Sequence, residues 1–476
     1  MAESEAVREV LPETAKLQAL AESMTRERVF IGRCDSYDPA AIAGVIRRGL
    51  DALGAEIPSG RITIKPNVVF AHHIHARHCY TRPEFMEGLL EVIGPGRERT
   101  VNIVEKSGAG APTARMFARA GYRRLRRPGV RLHAAEEEPK VAIPVPGGKV
   151  HQKLHVHPDL VDHDFLIFTP KLKTNVLADG MTAALKLNIG SVDDRERMHG
   201  HDWRLDEKIV DILGIVHPQL IVTDAIEMAA GGNQMTERGY HLGAIIMATN
   251  PVAHDIVAAS ILGHDPAGIG HLQAAWRRGY RPRALTEVEV VGDTTVAELR
   301  QRVAGFDLGV YRIDQFPAVA AARGYPVNIR FVRGDPFCPG GCHGIFLDWL
   351  FMLLDRQPHK LKQIPPLTVV LSRTDEEITA DRVLLLGNCA ARSPHVRARQ
   401  VKRIGGCPPS HRTIILWMAI HYGVLAPFFR PELIVDSYGY GTYARLKGAV
   451  VNAWWHWRHP GWTPPHRPTA GVHVPS

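Results

Sequence analysis

The sequence predicts an α/β protein with a mostly parallel sheet and helices on both faces, followed by a smaller, cysteine-rich α/β module. Three observations lead to this fold class. Short apolar segments alternate with helical segments through the first two-thirds of the chain. The helical segments are long enough for the right-handed crossovers that join parallel strands. Four of the six cysteines lie in the last third, after a looser stretch at about 277–323.

The individual elements follow from local patterns. Apolar runs rich in β-branched residues predict strands, and apolar residues at helical spacing predict helices. The predicted strands are 29–34, 61–70, 100–105, 164–169, 220–224 and 242–248. The predicted helices are 39–53, 83–93, 205–216 and 251–262, with one more beginning at 114–120.

Composition and motifs divide the chain into five segments. We expect an N-terminal extension at 1–28, the α/β domain at 29–276, a connecting segment at 277–330, the cysteine-containing module at 331–459 and a tail at 460–476. The tail is rich in Pro and His and is therefore predicted to be disordered.

Composition also excludes several classes of protein. The 476 residues are 45% hydrophobic and 22% charged, as in soluble globular proteins. The N-terminus lacks the basic and then apolar pattern of a signal peptide, so we expect a cytoplasmic protein. The formal net charge is +9, but the basic residues are scattered and no DNA-binding motif is visible, so nucleic acid is not an expected partner.

Cationic and amide side chains gather where predicted strands end. Lys65 and Asn67 close the second strand, Lys171 and Lys173 follow the fourth, and Lys186 lies in the nearly apolar segment MTAALKLNIG. Parallel α/β sheets bind ligands beyond the carboxyl ends of their strands. We therefore predict that the four lysines line one cleft for a small anionic substrate. The alternative is that the lysines extend their ammonium groups to solvent at the surface.

Two further strand ends carry candidate groups. The turn SGAGAPT, with Ser107 and Gly108, follows the third strand and precedes a helix, so its backbone N–H groups are candidates for binding an anion. The competing interpretation is a purely structural tight turn. Asp224 and Glu227 follow the predicted fifth strand. A carboxylate in this position is a candidate for proton transfer.

The cysteines give the sharpest signal. They occur in the motifs CPGGC, GNC and GGCPP, and the four are Cys338, Cys342, Cys389 and Cys407. Glycine beside a cysteine lets backbone amides approach the sulfur, and such amides tune metal–thiolate sites. Four thiolates suit either a [4Fe–4S] cluster or a structural zinc, and both remain open. The alternative is four unrelated buried thiols.

The order of the motifs resembles the domain-of-unknown-function family 362, a group often associated with iron–sulfur modules. The resemblance covers roughly 29–275 and rests on IKPN, TRPEFMEGLLEVIG, EKSGAGAPTARMFARAGY, TPKLKTNVLADGMTAALKLNIG, VTDAIEMAAGG and TNPVAHDIVAASILGHDP, among others. The later cysteine motifs resemble a C-terminal module seen with some members. In that module two residues usually separate the first cysteine pair, whereas three separate Cys338 from Cys342 here.

The resemblance implies a shared cleft faced by Lys65, Asn67, Lys171, Lys173, Lys186 and Asn188. Asp224 and Asp255 match its acidic positions. We expect Lys171, Lys173 and Asp224 to be catalytic, and Ser107, Gly108 and the remaining cleft residues to bind substrate.

These expectations combine into an iron–sulfur redox protein or reductase, with a [4Fe–4S] cluster in the C-terminal module and an anionic substrate in the α/β cleft. A redox partner protein is a candidate partner. The alternatives are a non-catalytic electron-transfer or metal-carrying protein and a zinc-stapled binding protein.

The C-terminal region adds one expectation about membranes. The apolar run 414–429 is shorter than the roughly 20 residues that span a bilayer. We predict a core helix that covers the metal site, followed by tryptophans that pack on the surface or against a partner. Contact with a membrane would then be peripheral at most and sensitive to salt.

Overall fold

The computed structural model describes residues 26–74, 76–108, 110–177, 180–231, 238–426 and 430–464. Most of the N-terminal extension and residues 465–476 of the tail therefore lie outside the described residues. The described chain forms an α/β protein with one large sheet, one smaller sheet and a two-stranded ribbon. The predicted fold class is confirmed.

The large sheet contains nine strands in a mostly parallel arrangement. Its order is β11-β1-β10-β9-β7-β2-β3-β4, with β8 paired to β9. Its strands are β1 (Glu27–Arg33), β2 (Gly60–Pro66), β3 (Arg99–Glu105), β4 (Val130–Ala134), β7 (Phe165–Thr169), β8 (Lys171–Lys173), β9 (Leu220–Ala230), β10 (Arg238–Ala248) and β11 (Val288–Gly292). The ribbon pairs β5 (Val141–Pro144) with β6 (Lys153–Val156).

Helices cover both faces of this sheet. The helices up to the second module are α1 (Pro39–Leu53), α2 (Pro83–Ile93), α3 (Thr113–Arg119), α4 (Ala184–Leu187), α5 (Asp194–Met198), α6 (Leu205–Leu213), α7 (Pro251–Ile261), α8 (Gly270–Arg277), α9 (Val296–Val303) and α10 (Phe316–Ala322). Apolar residues of α1 and α2 form one core with the sheet, and those of α6, α7 and α8 form a second core. Because each core excludes water from one face, the strands are apolar on both sides.

The fifth predicted strand is longer than the sequence analysis expects. β9 continues through Asp224 and Glu227 to Ala230, and β10 pairs with it in the antiparallel sense. β10 is also antiparallel to β1, so this part of the sheet departs from the expected parallel pairing. The reason is connectivity, since consecutive strands joined by a short loop form a hairpin, whereas parallel strands need a long crossover.

The segment 277–330, which the sequence analysis treats as a connection, contributes to the large sheet. β11 pairs in parallel with β1 at the edge of the sheet, and α9 follows it. Leu299 and Val303 of α9 are buried in the core beneath that edge. The second module therefore begins after this added strand and helix.

The second module is built on a four-stranded parallel sheet in the order β12-β13-β14-β15. Its elements are β12 (Ile329–Arg333), α11 (Gly344–Arg356), β13 (Leu367–Leu371), β14 (Ile378–Leu386), β15 (Val396–Ile404), α12 (His411–Tyr422), α13 (Pro431–Ile434) and α14 (Gly441–Arg458). α11 is almost completely buried and packs on one face of the sheet. Its apolar sequence GIFLDWLFMLL supplies most of that core.

The predicted core helix at 414–429 corresponds to α12, which ends at Tyr422 and lies at the surface, while 427–429 lie outside the described residues. α12 buries Ile414 and Met418, whereas Leu416 and Ile420 are exposed. Among the helices in the described part of the chain, none is both long enough and apolar enough to cross a membrane.

Candidate functional site

A cavity of about 410 Å³ lies between the carboxyl edge of the large sheet and the helices of the second module. β2, β3 and β7 run parallel and in register, so the ends of β2 and β3 open side by side into this cavity. α11, α12 and the chain around Tyr438 close the other side. The charged side chains in its lining are Lys65, Glu105, Lys106, Lys173, Lys186, Arg197, Asp348 and Arg412.

Glu105 organises the sheet side of the cavity. Its carboxylate accepts hydrogen bonds from Lys65 Nζ at 2.7 Å, from the Val68 N–H at 2.6 Å and from the Lys106 N–H at 2.8 Å. Burial lowers the pKa of Lys65, and the charge of Glu105 opposes that fall. The pair fixes the Lys65 ammonium group at the end of β2, where it faces the cavity.

Arg197 ties the cavity wall together from α5. Its guanidinium donates to the carbonyl oxygens of Ser107, of Lys106 at 3.0 Å and of Ile189 at 3.1 Å. Lys106 in turn pairs with Asp194 at 2.8 Å. The cations in the lining outnumber the carboxylates, so the cavity favours an anionic ligand.

The predicted cleft lysines do not all meet in this cavity. Lys65, Lys173 and Lys186 line it together with Asn67. Lys171 does not belong to the lining, because β8 adds a short strand to the sheet and places this side chain in an interior ion pair. Its Nζ lies 3.0 Å from Asp224 Oδ2 and 2.7 Å from the Tyr37 hydroxyl, and Lys171 and Asp224 are fully buried.

The assignment of Lys171 and Asp224 as catalytic residues is therefore not supported by their placement. The Tyr37 hydroxyl donates to Asp224 Oδ1 at 2.8 Å, and the Arg82 N–H donates to Oδ2 at 3.1 Å. Burial lowers the pKa of Lys171, against the charge of Asp224. Together these groups form a closed buried network in the sheet.

The glycine-rich turn is structural in the part that the structure describes. The Ser107 N–H donates to Thr113 Oγ1, and the Gly108 N–H donates to the carbonyl of Val69 at 2.6 Å. The carboxylate of Glu136 accepts hydrogen bonds from the N–H and the hydroxyl of Thr113, where α3 begins. The protein thus supplies its own anion at this helix start, and only Gly108 of the predicted pair reaches the cavity lining.

Two other predicted residues lie nearby without entering the cavity lining. Asp255 accepts hydrogen bonds from the N–H groups of Ala184 and Leu185, so it holds the start of α4. Asn188 is fully buried, and its side-chain amide has no hydrogen-bond partner among the described residues. α4 carries Lys186 into the cavity wall, so Asp255 acts on the site by positioning that helix.

The four cysteines converge at the carboxyl edge of the second sheet. The parallel register aligns Arg333, Leu371, Leu386 and Ile404 in one row, where β12 to β15 end. Cys338 and Cys342 follow β12, Cys389 follows β14 and Cys407 follows β15. Burial raises the pKa of the Cys342 thiol, and the charges of the other three thiolates raise it further.

Glycines leave room for the sulfur atoms. A Cβ atom on Gly387 would lie 2.5 Å from Cys342 Sγ, and one on Gly341 would collide with Cys338 Sγ. Burial also raises the pKa of Cys338 to about 12, with Asp202 adding to the rise. A cation between the sulfurs would offset the cost of these buried thiolates, so the donor set fits a thiolate-bound metal.

The spacing of the sulfurs bears on which metal fits. Within the described residues, the group of three or more potential ligands with donor atoms within 4.8 Å of one another is His133, His157 and Asp159, and the cysteines do not form such a group. Zn–S bonds of about 2.3 Å in a tetrahedron would place sulfurs about 3.8 Å apart. A cluster with one iron per thiolate needs a wider spacing between the sulfurs than a single zinc ion does.

One loop joins the cavity to the cysteines. His201 lines the cavity, and its Nδ1 hydrogen-bonds the carbonyl oxygen of Gly340 at 2.5 Å, within the turn between Cys338 and Cys342. The next residue, Asp202, places Oδ2 4.0 Å from Cys407 Sγ. The buried Lys208 holds this loop by donating to the carbonyls of Arg197 and His199, and burial lowers its pKa to about 7.

Sequence reasoning missed several residues of this site. Glu105 and Lys106 end a predicted strand, so the rule that selects Lys65 also selects them. Arg197 and His201 lie in the polar segment DDRERMHGHD, which gives no sign of its position in the fold. The chain also holds the unpredicted group His133, His157 and Asp159, where Glu138 Oε2 lies 2.8 Å from His133 Nδ1 and 3.3 Å from His157 Nε2. These ion pairs account for that group without a metal.

Part of the chain is similar to a known protein family. Residues 62–260 match the model of the family described as Domain of unknown function (DUF362). The match begins in β2 and ends in α7, so it contains the sheet side of the cavity and leaves all four clustered cysteines outside. No curated protein matches the chain.

Two solved structures are similar over part of the chain. One is the lactate racemase apoprotein from Thermoanaerobacterium thermosaccharolyticum, at 11% identity and a TM-score of 0.28, over 44% of this chain and 54% of that one. The other is a protein from Thermotoga maritima, at 13% identity and a TM-score of 0.28, over 44% of this chain and 55% of that one. The similar region thus spans about half the length of each structure.

Proposed function

We propose that the protein is an iron–sulfur redox protein that acts on an anionic substrate in the cavity beside its four cysteines. The single observation that carries the proposal is the loop 199–202, which contacts both sites. His201 reaches from the cavity lining to Gly340 between two cysteines, and Asp202 approaches a third cysteine. A [4Fe–4S] cluster would supply one-electron transfers at the cysteine end of this path.

The chain's own residues bind and orient the substrate. Lys65 is held by Glu105 and Lys106 by Asp194, so these ammonium groups have fixed positions before a ligand arrives. Fixed donors lose little entropy on binding. Burial lowers the pKa of His201 well below its ordinary value, so its imidazole is neutral at physiological pH. It therefore adds no positive charge between the cavity and the cysteines.

The exposure of the cysteines favours exchange of electrons with another protein. Cys407 is exposed, Cys342 and Cys389 are partly exposed, and Cys338 is buried. One side of the site therefore faces solvent, where a redox partner can approach. This arrangement suits an enzyme subunit that receives electrons from outside better than a site that only staples the fold.

Anaerobic purification with iron and sulfide analysis tests the proposal. We expect a brown protein with iron and acid-labile sulfide in equal amounts and the broad visible absorption of thiolate–iron charge transfer. The variant Cys389→Ser should lose this colour. The matched control Cys34→Ser, at a buried thiol of the α/β domain, should keep it. A colourless wild-type protein that holds one zinc ion would contradict the iron–sulfur assignment.

A further inference from the structure

The cavity has a cationic interior and an apolar rim. Lys65, Lys173 and Arg197 in its lining are buried. Leu416, Ile434 and Tyr438 also line it, but these side chains are 50%, 37% and 57% exposed. A cavity for a small hydrophilic anion has no need of an apolar entrance, because such a ligand arrives with its hydration shell. This polarity instead matches a ligand with an anionic head and an apolar tail.

The apolar rim continues along the last described helix. Tyr438 lies just before α14, which presents Tyr443, Leu446, Val450, Trp454 and Trp457 to solvent. The spacing of three or four residues places them on one stripe. Leu446, Val450 and Trp457 are 65%, 70% and 76% exposed, so the described part of the chain leaves the stripe uncovered.

The opposite face of α14 is packed against the protein. Ala444 and Gly448 are buried, and a Cβ atom on Gly448 would collide with the carbonyl oxygen of Glu136. Trp455 packs against the core of the large domain, and the Asn452 side chain accepts a hydrogen bond from the Lys140 N–H. The stripe is therefore not the inner face of a displaced helix, since the helix already has a docked inner face.

Cations border the exposed stripe on one side. At 100° per residue, Lys447 and Arg458 adjoin the stripe there, and Lys447 pairs with Glu137 at 2.7 Å. The Arg458 guanidinium lies 4.6 Å from the centre of the Trp454 ring. A stripe of aromatic and aliphatic side chains bordered by a cation suits a helix that lies in the interface of an anionic membrane.

We propose that α14 docks this face on an anionic membrane surface and that the cavity there takes an anionic amphiphile, with its head at the lysines and its tail at the rim. Charge decides between occupants, because the chain has a formal net charge of +9, so a second copy is repelled whereas an anionic surface attracts the chain. The substrate half of this inference rests on the proposed anion-binding function, whereas the docking half does not.

Vesicle co-sedimentation of the full chain tests the docking half. We expect binding to vesicles of phosphatidylglycerol and phosphatidylcholine, with at least tenfold weaker partitioning to phosphatidylcholine alone. Val450→Glu should weaken partitioning to the anionic vesicles at least tenfold. The matched control Val401→Glu, at a 42% exposed position on β15, should stay within twofold of wild type. Equal behaviour of the two variants would overturn the proposal, as would a concentration-dependent dimer that Val450→Glu abolishes without vesicles.

Calorimetric titration with octyl phosphate and inorganic phosphate tests the substrate half. We expect octyl phosphate, below its micelle concentration, to bind at least tenfold more tightly because its tail contacts the apolar rim. Equal affinities would overturn the amphiphile inference and leave the anion site intact. If neither compound binds while vesicle binding persists, the proposed anion-binding function fails and the docking half stands.

Discussion

Substitution of Lys171, which pairs with Asp224, tests whether this lysine stabilises the fold or takes part in catalysis. The substitution Lys171→Met removes the cation that lies 3.0 Å from Asp224 Oδ2 in the interior of the sheet. The carboxylate would keep the Tyr37 hydroxyl and the Arg82 N–H but would lose its only charged partner among the contacts described above. Leaving one charge of a buried pair without its counter-ion costs about 3–5 kcal/mol.

Thermal unfolding followed by circular dichroism measures this cost. For a domain of this size, a loss of about 3–5 kcal/mol lowers Tm by on the order of 10 °C. The double variant Lys171→Met, Asp224→Asn removes both charges and should recover most of the loss, because the Asn oxygen still accepts from Tyr37. Phosphate affinity should be unchanged in both variants, since neither residue lines the cavity.

Lys173→Met is the matched comparison, because it makes the same substitution two residues later in β8. Lys173 lines the cavity, so we expect about a tenfold loss of phosphate affinity, the worth of one charge-assisted contact. The opposite pattern, in which Lys171→Met loses phosphate binding at an unchanged Tm, would refute the assignment of Lys171 to the fold.

Two further predictions concern the cysteine site and the His133 network. Gly387→Ala should lower the iron content of the protein several-fold, because the new Cβ atom would crowd Cys342 Sγ. The control Gly423→Ala is also at a positive φ but has no neighbours within 4 Å, so this variant should keep its iron. Equal losses of iron in the two variants would point to backbone strain alone. Glu138→Gln should lower stability by about 1–2 kcal/mol at pH 5.5 and by less at pH 9, measured as Tm at each pH. Burial disfavours both the His133 imidazolium and the Glu138 carboxylate, but the hydrogen bonds of Glu138 with His133 and His157 outweigh this effect. They raise the pKa of His133 and lower the pKa of Glu138 to about 2. The His133 contribution is present below about pH 6.5 and is lost as pH rises through its raised pKa, while that of Glu138 is lost only as pH falls from about 4.3 toward 2. A uniform loss at both pH values would mean that the pair is not charged.

The sequence predicts the edge of the sheet well and the interior poorly. Lys65 and Asn67 end an apolar strand, and the general rule for parallel sheets places such residues at a ligand site without any knowledge of packing. The same rule fails for Asp224, because a single polar residue within LIVTDAIEMAA resembles the end of a strand. Its partner Lys171 lies 53 residues away in the sequence, and no sequence pattern around either residue predicts that the two side chains pair.

The C-terminal helix shows a different limit. Leu446, Val450, Trp454 and Trp457 recur at helical spacing, and a periodic apolar stripe normally marks the face that a helix buries. Here the small residues Ala444 and Gly448 take that role, because the backbone near Glu136 approaches α14 too closely for larger side chains. The large apolar side chains are thereby left for another surface. Which of two apolar faces a helix turns inward depends on the shape of what it packs against, and that shape is set by residues some 300 positions earlier in the chain.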